Sequence, residues 1–241
     1  MSTAVAPPDV EGWLTDAQAS RLAARGAEAA GGTVVEIGSF RWRSTIVLAR
    51  AAGSVVAIDP HAGSDRGPQE IAADAARGDD DPAAFVANLA AAGVDGRVRH
   101  VRLPSAAALG EVEGPLALLY VDGAHRFAPA RDDVARWGAR VSPGGIMLVH
   151  DAFSSIGVTA ALLAECALGG AWRYLGRTGT LAEYERLAAP LTGAARAHNA
   201  LRQLAELPWF ARNVLFKALV SVGARELAHR LGLPRGMHWP Y

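Results

Sequence analysis

The sequence predicts an α/β protein built on a doubly wound, mostly parallel sheet of seven strands, with additional helices at both termini. Short β-branched and aliphatic runs alternate with Ala-rich helical stretches, which is typical of strand–helix–strand units. Several of these runs end in polar residues, as strands do where a parallel sheet binds its ligand. Two strand-like runs joined near Gly179 predict an antiparallel hairpin at the end of the sheet.

The first half of the chain alternates regularly between helix and strand patterns. Thr15 is a plausible helix cap, and it precedes an Ala-rich stretch that predicts a helix over residues 15–30. The predicted elements that follow are a strand at 33–37, a helix over IVLARAA and a second buried strand at 54–60. Residues 61–81 are polar and Gly-rich, and they predict a mobile insertion after that strand.

The second half continues the alternation and ends in a basic tail. The predicted elements are a helix at 81–93, a strand at 97–103, a short helix over SAAALGEV, a strand at 115–123, a helix at 128–141, a strand at 143–151 and a helix at 157–168. Residues 194–232 predict two helices broken at Pro208. We therefore divide the chain into an N-terminal helical segment (1–30), an α/β domain (31–187) and a basic helical extension (188–241).

Composition excludes several classes of protein. The chain has 241 residues, of which 51% are hydrophobic and 20% charged, so it is typical of globular and not of disordered proteins. Its 24 basic residues balance 24 acidic ones, and we expect no nucleic-acid partner. The lone Cys166 rules out an internal disulfide and fits a small buried side chain in a reducing compartment. The N-terminus has no secretory pattern and no apolar run reaches about 18 residues, so a cytoplasmic protein is expected.

The loop after the first strand indicates what kind of ligand the sheet binds. The sequence EIGSFRWRST connects a strand to a helix, an arrangement that turns backbone N–H groups towards a ligand. A dinucleotide fingerprint requires three glycines, but this loop has only Gly38. The ligand is therefore predicted to be something other than a pyrophosphate.

Four segments together resemble the class I S-adenosylmethionine-dependent methyltransferases: EIGSFRWRST, VVAIDP, LYVDGAHRFAPARDDVARW and SPGGIMLVHD. The resemblance covers residues 30–185 and is greatest to small-molecule O-methyltransferases with a D-G-x-H motif. It implies a Rossmann-like fold and S-adenosylmethionine as cofactor. The cofactor-binding residues that it implies are Glu36, Gly38 and Ser39 at the methionine end, Asp59 at the ribose, Ser105 by the adenine, and Ser44 and Asp122.

One residue of the loop departs from this pattern. Members of the branch often have a second glycine where Trp42 stands. Trp42 is therefore interpreted either as a cover over the cofactor or substrate, or as an ordinary surface or core aromatic residue.

A second group of residues follows the fourth and fifth strands. If these strands are neighbours, Asp122, His150 and Asp151 converge at one edge of the sheet, where they would bind Mg²⁺ or, alternatively, Mn²⁺. By the resemblance, Asp122 and Asp151 match metal positions, and His150 stands where an acidic residue is common. His125 matches the general base of the family; otherwise it is a solvated loop histidine.

The remaining polar residues are interpreted more simply. Asp132 and Asp133 are predicted to be acids in the first turn of the helix that follows, where the helix dipole favours them. His61 and Asp65, in the polar insertion, are weaker candidates for contact with a substrate.

The predicted activity is O-methylation of a small polar acceptor, plausibly a sugar or glycoside, and a phenolic or polyketide product is the rival acceptor. Alternatives from other classes are a nucleotide-binding oxidoreductase and a catalytically silent binding module. From Pro190 onward the chain has seven basic and two acidic residues. Its helices are expected to pack on their own sheet or on a second subunit, which would give a homodimer. The alternative is contact with an anionic membrane surface.

Overall fold

The structure is a computed structural model, and it describes residues 14–40, 42–62 and 75–233, with the backbone alone for residues 75–81. The strands in these residues are β1 (Thr33–Ile37), β2 (Val55–Ile58), β3 (Val98–Val101), β4 (Leu116–Val121), β5 (Val141–Val149), β6 (Trp172–Thr178) and β7 (Leu181–Arg186). The helices are α1 (Asp16–Glu28), α2 (Arg43–Ala52), α3 (Ala75–Ala91), α4 (Phe127–Asp132), α5 (Ile156–Leu162), α6 (Gly193–Leu204), α7 (Leu207–Ser221) and α8 (Arg225–Arg230).

The strands form one sheet in the order β3-β2-β1-β4-β5-β7-β6. The first five strands are parallel, and β7 runs antiparallel to both β5 and β6. The predicted fold class, including the C-terminal hairpin, is therefore confirmed. The order of the strands reverses between β1 and β4, and this switch point is where open α/β sheets bind ligands.

Two apolar layers cover the sheet. On one face, α1, α2 and α3 contribute Leu22, Ile46 and Phe85 to a buried cluster with side chains of the central strands. On the other face, the segments that follow β4 and β5 contribute Trp137 and Phe153 to a second cluster. Cys166 lies in this second cluster and is fully buried, as the sequence predicts.

Helix α1 begins at the predicted cap. Thr15 and Gln18 form a capping box, in which each side chain bonds the backbone of the other residue. Further along the helix, Arg21 and Arg25 both form ion pairs with the buried Glu183 of β7. Helix α1 thus connects the parallel part of the sheet, where it packs against α2, to the hairpin.

Three predicted elements differ in the structure. Residues 63–74 of the predicted insertion lie outside the described residues, and α3 begins at Ala75, earlier than expected. The helix predicted at 128–141 is α4 followed by a π turn (Asp133–Trp137) and a 3-10 turn (Gly138–Arg140). The two helices predicted in the tail are three, because Gly223, with φ of +80°, ends α7 before α8 begins.

Helix α6 and the start of α7 pack against the sheet of their own chain, and α8 packs on α7. Asn199 of α6 accepts from the Tyr174 backbone N–H at 2.8 Å and donates to the Trp172 carbonyl at 3.0 Å, so it covers polar groups of the edge strand β6. The break before α7 precedes Pro208, which lies in the first turn of that helix, where a missing N–H is tolerated. Within the described residues, no helix combines the length and the apolar character needed to cross a bilayer.

Candidate active site

The predicted site residues follow the carboxyl ends of four neighbouring strands. Backbone hydrogen bonds extend the ladder past the strand ends, from Gly38 N to Ile58 O, from Asp122 N to Ile37 O and from His150 N to Val121 O. The loops after β1, β2, β4 and β5 therefore start from one edge of the sheet. This edge includes the switch point between β1 and β4.

Gly38 lies where the loops after β1 and β4 meet. Its φ is +85°, and a Cβ atom there would be 2.1 Å from the carbonyl oxygen of Asp122 and 2.8 Å from the backbone nitrogen of Gly123. Both the conformation and the contact require glycine. The backbone of this loop is consequently in close contact with the backbone that follows the fourth strand.

Two further residues near Gly38 adopt backbone conformations that side chains disfavour. Phe40 has φ of +40° and Trp42 has φ of +107°, although neither is glycine. Trp42 is buried in the cluster formed by α1, α2 and α3, so the structure favours the core interpretation of this residue. The hydroxyl oxygen of Ser39 is buried without a hydrogen-bond partner among the described residues.

Glu36 is buried at the end of β1, and its carboxylate is held by the first turn of α2. One oxygen accepts from the Ser44 hydroxyl, and the other accepts from the Thr45 hydroxyl at 2.5 Å. Burial raises the pKa of Glu36 to about 8, and the two hydroxyl groups oppose the shift only in part. Ser44, predicted to bind the cofactor, thus binds Glu36 in this structure.

Asp59, after β2, is oriented by two backbone N–H groups. Its Oδ2 accepts from Phe40 N at 2.9 Å, and its Oδ1 accepts from His61 N at 2.8 Å. A carboxylate has about four acceptor positions, so each oxygen retains capacity for a hydroxyl group. This arrangement suits the predicted contact with a ribose diol.

Beyond β4 and β5, the structure brings Asp122, His125 and Asp151 together, with one ligand atom of each within 4.8 Å of the others. The Nε2 atom of His125 is 3.1 Å from Asp151 Oδ2. His150 lies deeper, with Nδ1 at 3.3 Å from Asp122 Oδ1 and 3.5 Å from Asp151 Oδ2. The predicted metal set was Asp122, His150 and Asp151, whereas the group that the structure brings together has His125 with the two aspartates. Two carboxylates and an imidazole are a donor set that Mg²⁺ or Mn²⁺ accepts.

Charges within this group compensate one another. Burial opposes a charge on His150, but the carboxylates of Asp122 and Asp151 outweigh it and raise its pKa well above the ordinary value. Burial would likewise raise the pKa of Asp151, yet His150, His125 and Lys217 together hold it well below the usual range. Tyr120 adds a hydrogen bond of 2.9 Å from its hydroxyl to Asp122 Oδ2.

The position of His125 depends on two residues of the segment that begins α5. Ser155 donates from its hydroxyl to the carbonyl of His125 at 3.2 Å. A Cβ atom on Gly157 would be 2.2 Å from the same carbonyl oxygen, so only glycine allows this contact. Sequence reasoning missed both residues, because their role depends on the packing of α4 against α5.

Ser105 and Asp133 form a pair near the end of β4. The Ser105 hydroxyl donates to Asp133 Oδ1, and burial raises the pKa of Asp133 to about 6. The prediction that Asp133 lies in the first turn of its helix is wrong, because α4 begins at Phe127. The helical spacing of Ala130, Asp133, Val134 and Trp137, all buried, could have revealed this position.

Helix α7 reaches the loop after β5. Asn213, which is buried, donates to the carbonyl of Phe153 at 3.0 Å. Lys217 lies one turn further on the same side of the helix and is partly buried. Burial lowers the pKa of Lys217, and the charge of Asp151 opposes this shift. The sequence analysis counted Lys217 only as part of the basic tail, and the structure brings it towards the site.

Comparison with known proteins agrees with this geometry. A family described as a methyltransferase domain matches residues 35–152, from β1 to the loop after β5. No curated protein matches the sequence.

Solved structures share the fold at low identity. The cofactor-bound Rv0187 from MTB is 20% identical with a TM-score of 0.55, covering 74% of this chain and 83% of its own. TomG from Streptomyces achromogenes, an O-methyltransferase of tomaymycin synthesis in complex with SAM, is 19% identical with a TM-score of 0.50, covering 75% and 83%. CalS11, a TDP-rhamnose 3'-O-methyltransferase of calicheamicin biosynthesis, is 19% identical with a TM-score of 0.50, covering 73% and 82%.

The matched domain contains Gly38, Asp59, Asp122 and Asp151, the residues that follow the four strand ends. The fold around them is the mixed seven-stranded sheet with an antiparallel hairpin at its end. A methyltransferase-domain family thus matches about half of the chain, residues 35–152, and the chain has the Rossmann-like fold of class I S-adenosylmethionine-dependent methyltransferases.

Proposed function

We propose that the protein transfers the methyl group of S-adenosylmethionine to a hydroxyl of a small polar acceptor, a sugar or glycoside. The observation that carries this proposal is the pairing of His125 with Asp151 at 3.1 Å, beside Asp122 and next to the Gly38 loop. A base and the residues predicted to bind the cofactor thus start from the same edge of the sheet.

The chemistry requires a base near the acceptor. Methyl transfer displaces a thioether from the methyl carbon, and the attacking hydroxyl must lose its proton before or during the attack. An imidazole can take that proton near neutral pH. In this proposal Asp151 orients the His125 ring, and Ser155 and Gly157 fix the backbone beneath it.

The cofactor would lie along the loops after β1 and β2. Asp59 would accept the two ribose hydroxyls, Glu36, Gly38 and Ser39 would line the methionine end, and Ser105 would lie near the adenine. The family match and the structures with bound cofactor support S-adenosylmethionine as the ligand of these loops.

A divalent cation would be held by Asp122 and Asp151 with one of the two neighbouring histidines. When bound, it would make the acceptor hydroxyl a stronger acid. The same His125 nitrogen cannot bind a metal and take a proton, so metal dependence would favour His150 as the third ligand. In the metal-free alternative, His150 and Lys217 compensate the two carboxylates.

The acceptor class is supported by analogy with solved structures. CalS11 methylates a TDP-linked sugar, whereas TomG acts in tomaymycin synthesis. A phenolic natural product is therefore the alternative acceptor, and a panel of nucleotide sugars, glycosides and phenols would separate the two.

The test is production of S-adenosylhomocysteine from S-adenosylmethionine with this panel. His125→Ala should lower turnover by about 10²–10⁴-fold with little change in cofactor affinity, because it removes the base alone. His198→Ala on the exposed face of α6 is the control. Wild-type turnover in His125→Ala would assign the proton to another group.

The same assay in EDTA tests the metal. Loss of activity that Mg²⁺ or Mn²⁺ restores would support it, and Asp151→Asn should then lose the response. Full activity in EDTA would establish the metal-free alternative. Binding of S-adenosylmethionine in calorimetry without production of S-adenosylhomocysteine from any acceptor would instead favour a catalytically silent module.

A further inference from the structure

His61 is buried under the loop that follows β1, at the start of the segment that the sequence analysis treated as an insertion. Its exposed fraction is 3%, and its ring packs against Phe85 of α3 and His100 of β3, with centroid distances of 5.3 Å and 4.8 Å. Its backbone φ is +46°, which is unfavourable for any residue but glycine. Packing contacts from two elements therefore hold His61 in this unfavourable backbone conformation.

Three hydrogen bonds join His61, Asp59 and Phe40 in a closed ring. Phe40 N–H donates to Asp59 Oδ2 at 2.9 Å, and His61 N–H donates to Asp59 Oδ1 at 2.8 Å. The imidazole closes the ring, with Nε2 at 2.8 Å from the carbonyl oxygen of Phe40. A carbonyl can only accept, so Nε2 is the donor in this bond.

The three hydrogen bonds stabilise the loop after β1 at Phe40, a position where the sequence has no glycine. Phe40 holds a left-handed conformation that a glycine would adopt without cost, so its backbone needs external support. The ring supplies it by fixing both the N–H and the carbonyl of Phe40. It also orients the carboxylate of Asp59, because each of its two oxygens accepts from a different backbone N–H.

We propose that His61 is a positioning residue for S-adenosylmethionine, which fixes the loop after β1 and orients Asp59 towards the ribose. This inference rests on the proposed function, because it assigns Asp59 to the cofactor. His61 itself acts through Phe40 and Asp59.

The first test compares His61→Phe, which retains an aromatic ring but removes the donor, with Phe85→Leu, which changes the packing against the His61 ring and removes no hydrogen bond. S-adenosylhomocysteine affinity measured by calorimetry should fall about ten-fold or more in His61→Phe. Turnover at saturating S-adenosylmethionine should change by less than about three-fold, because the base is untouched. Phe85→Leu should leave the affinity within about two-fold. Equal losses in the two variants would reduce His61 to a packing residue and overturn the proposal.

A second pair keeps the test valid if His61→Phe does not fold. The amide of Gln reaches the position of Nε2, whereas the amide of Asn is one methylene shorter. His61→Gln should therefore restore affinity and His61→Asn should not. Wild-type affinity in a folded His61→Asn would contradict the proposal.

A double-mutant cycle with Asp59→Ala tests the route of the effect. If His61 acts through Asp59, the combined variant His61→Phe/Asp59→Ala should bind S-adenosylhomocysteine little worse than Asp59→Ala alone. Additive losses would overturn this route. Absence of binding by the wild type would instead refute the proposed function, so the two failures are distinguishable.

Discussion

Gly38 and Gly53 have nearly the same backbone conformation but very different surroundings. Their φ values are +85° and +88°; a Cβ at Gly38 would overlap the Asp122 carbonyl, whereas one at Gly53 would meet nothing within 4 Å. The two glycines therefore separate the cost of a left-handed conformation from the cost of a close contact.

Gly53→Ala should destabilise the protein by about 1–2 kcal/mol, which is the conformational cost alone. Gly38→Ala should cost at least twice as much, and it should abolish S-adenosylhomocysteine binding because the loops after β1 and β4 must separate. Urea unfolding and calorimetry measure the two effects. Equal destabilisation by the two substitutions would show that the loop adjusts to a methyl group.

Asp133 makes stability depend on pH. Its pKa rises from 3.8 to about 6 on folding, because it is buried, so the folded protein retains this proton at higher pH than the unfolded chain. Stability from this group is fully present below pH 3.8 and is lost as pH rises through about 6, by up to about 3 kcal/mol.

Asp133→Asn should remove this dependence and make the protein more stable than the wild type above pH 6. The control is Glu113→Gln, which changes an exposed carboxylate that does not contribute to the pKa shift of Asp133. Unfolding free energies at several pH values between 4 and 7.5 provide the measurement. A difference between wild type and Asp133→Asn that stays constant over this range would contradict the assigned cause.

Helix α7 supports the loop that carries Asp151. The Asn213 amide reaches the Phe153 carbonyl, and Phe153 has φ of +53° in that loop. A helix that sequence reasoning placed in a separate extension thus supports the back of the candidate site.

Asn213→Ala should cost about 1–3 kcal/mol, because it leaves a buried carbonyl without its donor. Turnover should fall with it, since the loop of Asp151 loosens. Leu215→Ala, which shortens a side chain that is 49% exposed on the same helix, should stay within about 0.5 kcal/mol. Wild-type turnover in Asn213→Ala would show that the contact between α7 and this loop does not affect catalysis.

Glu183 joins the two halves of the sheet through α1. It is buried on β7 and binds Arg21 and Arg25, whereas Glu185 on the same strand binds Arg173 near solvent. Removal of a buried carboxylate from two guanidinium groups costs more than removal of one partner of an exposed pair, because water solvates the charge that is left in the exposed case.

Glu183→Gln should lower the free energy of unfolding by about 2–3 kcal/mol, since two guanidinium groups lose their counter-charge. Glu185→Gln should lower it by less than about 1 kcal/mol. Chemical denaturation measures both. Similar losses would mean that α1 is held by its apolar face alone.

The architecture was predictable from sequence because it depends on local patterns. The β-branched runs predicted the strands, and the polar residues at their ends predicted that Asp122 and Asp151 would be close, as they are in the structure. The contacts of Asp133, His61 and Asn213 were not predicted, because each joins segments that are distant in sequence. The left-handed backbone of Phe40 was not predicted either, because hydrogen bonds to Asp59 and His61 maintain it.

Because Cys166 is buried, chemical modification of its thiol can report local unfolding of the protein. The thiol is fully buried, and burial raises its pKa well above the ordinary value, so a maleimide or a disulfide reagent finds no reactive thiolate in the native state. Its rate of modification therefore measures how often the region around the end of α5 unfolds. A second cysteine placed on the surface, at His198 for example, would accept a fluorophore selectively without removal of the native thiol.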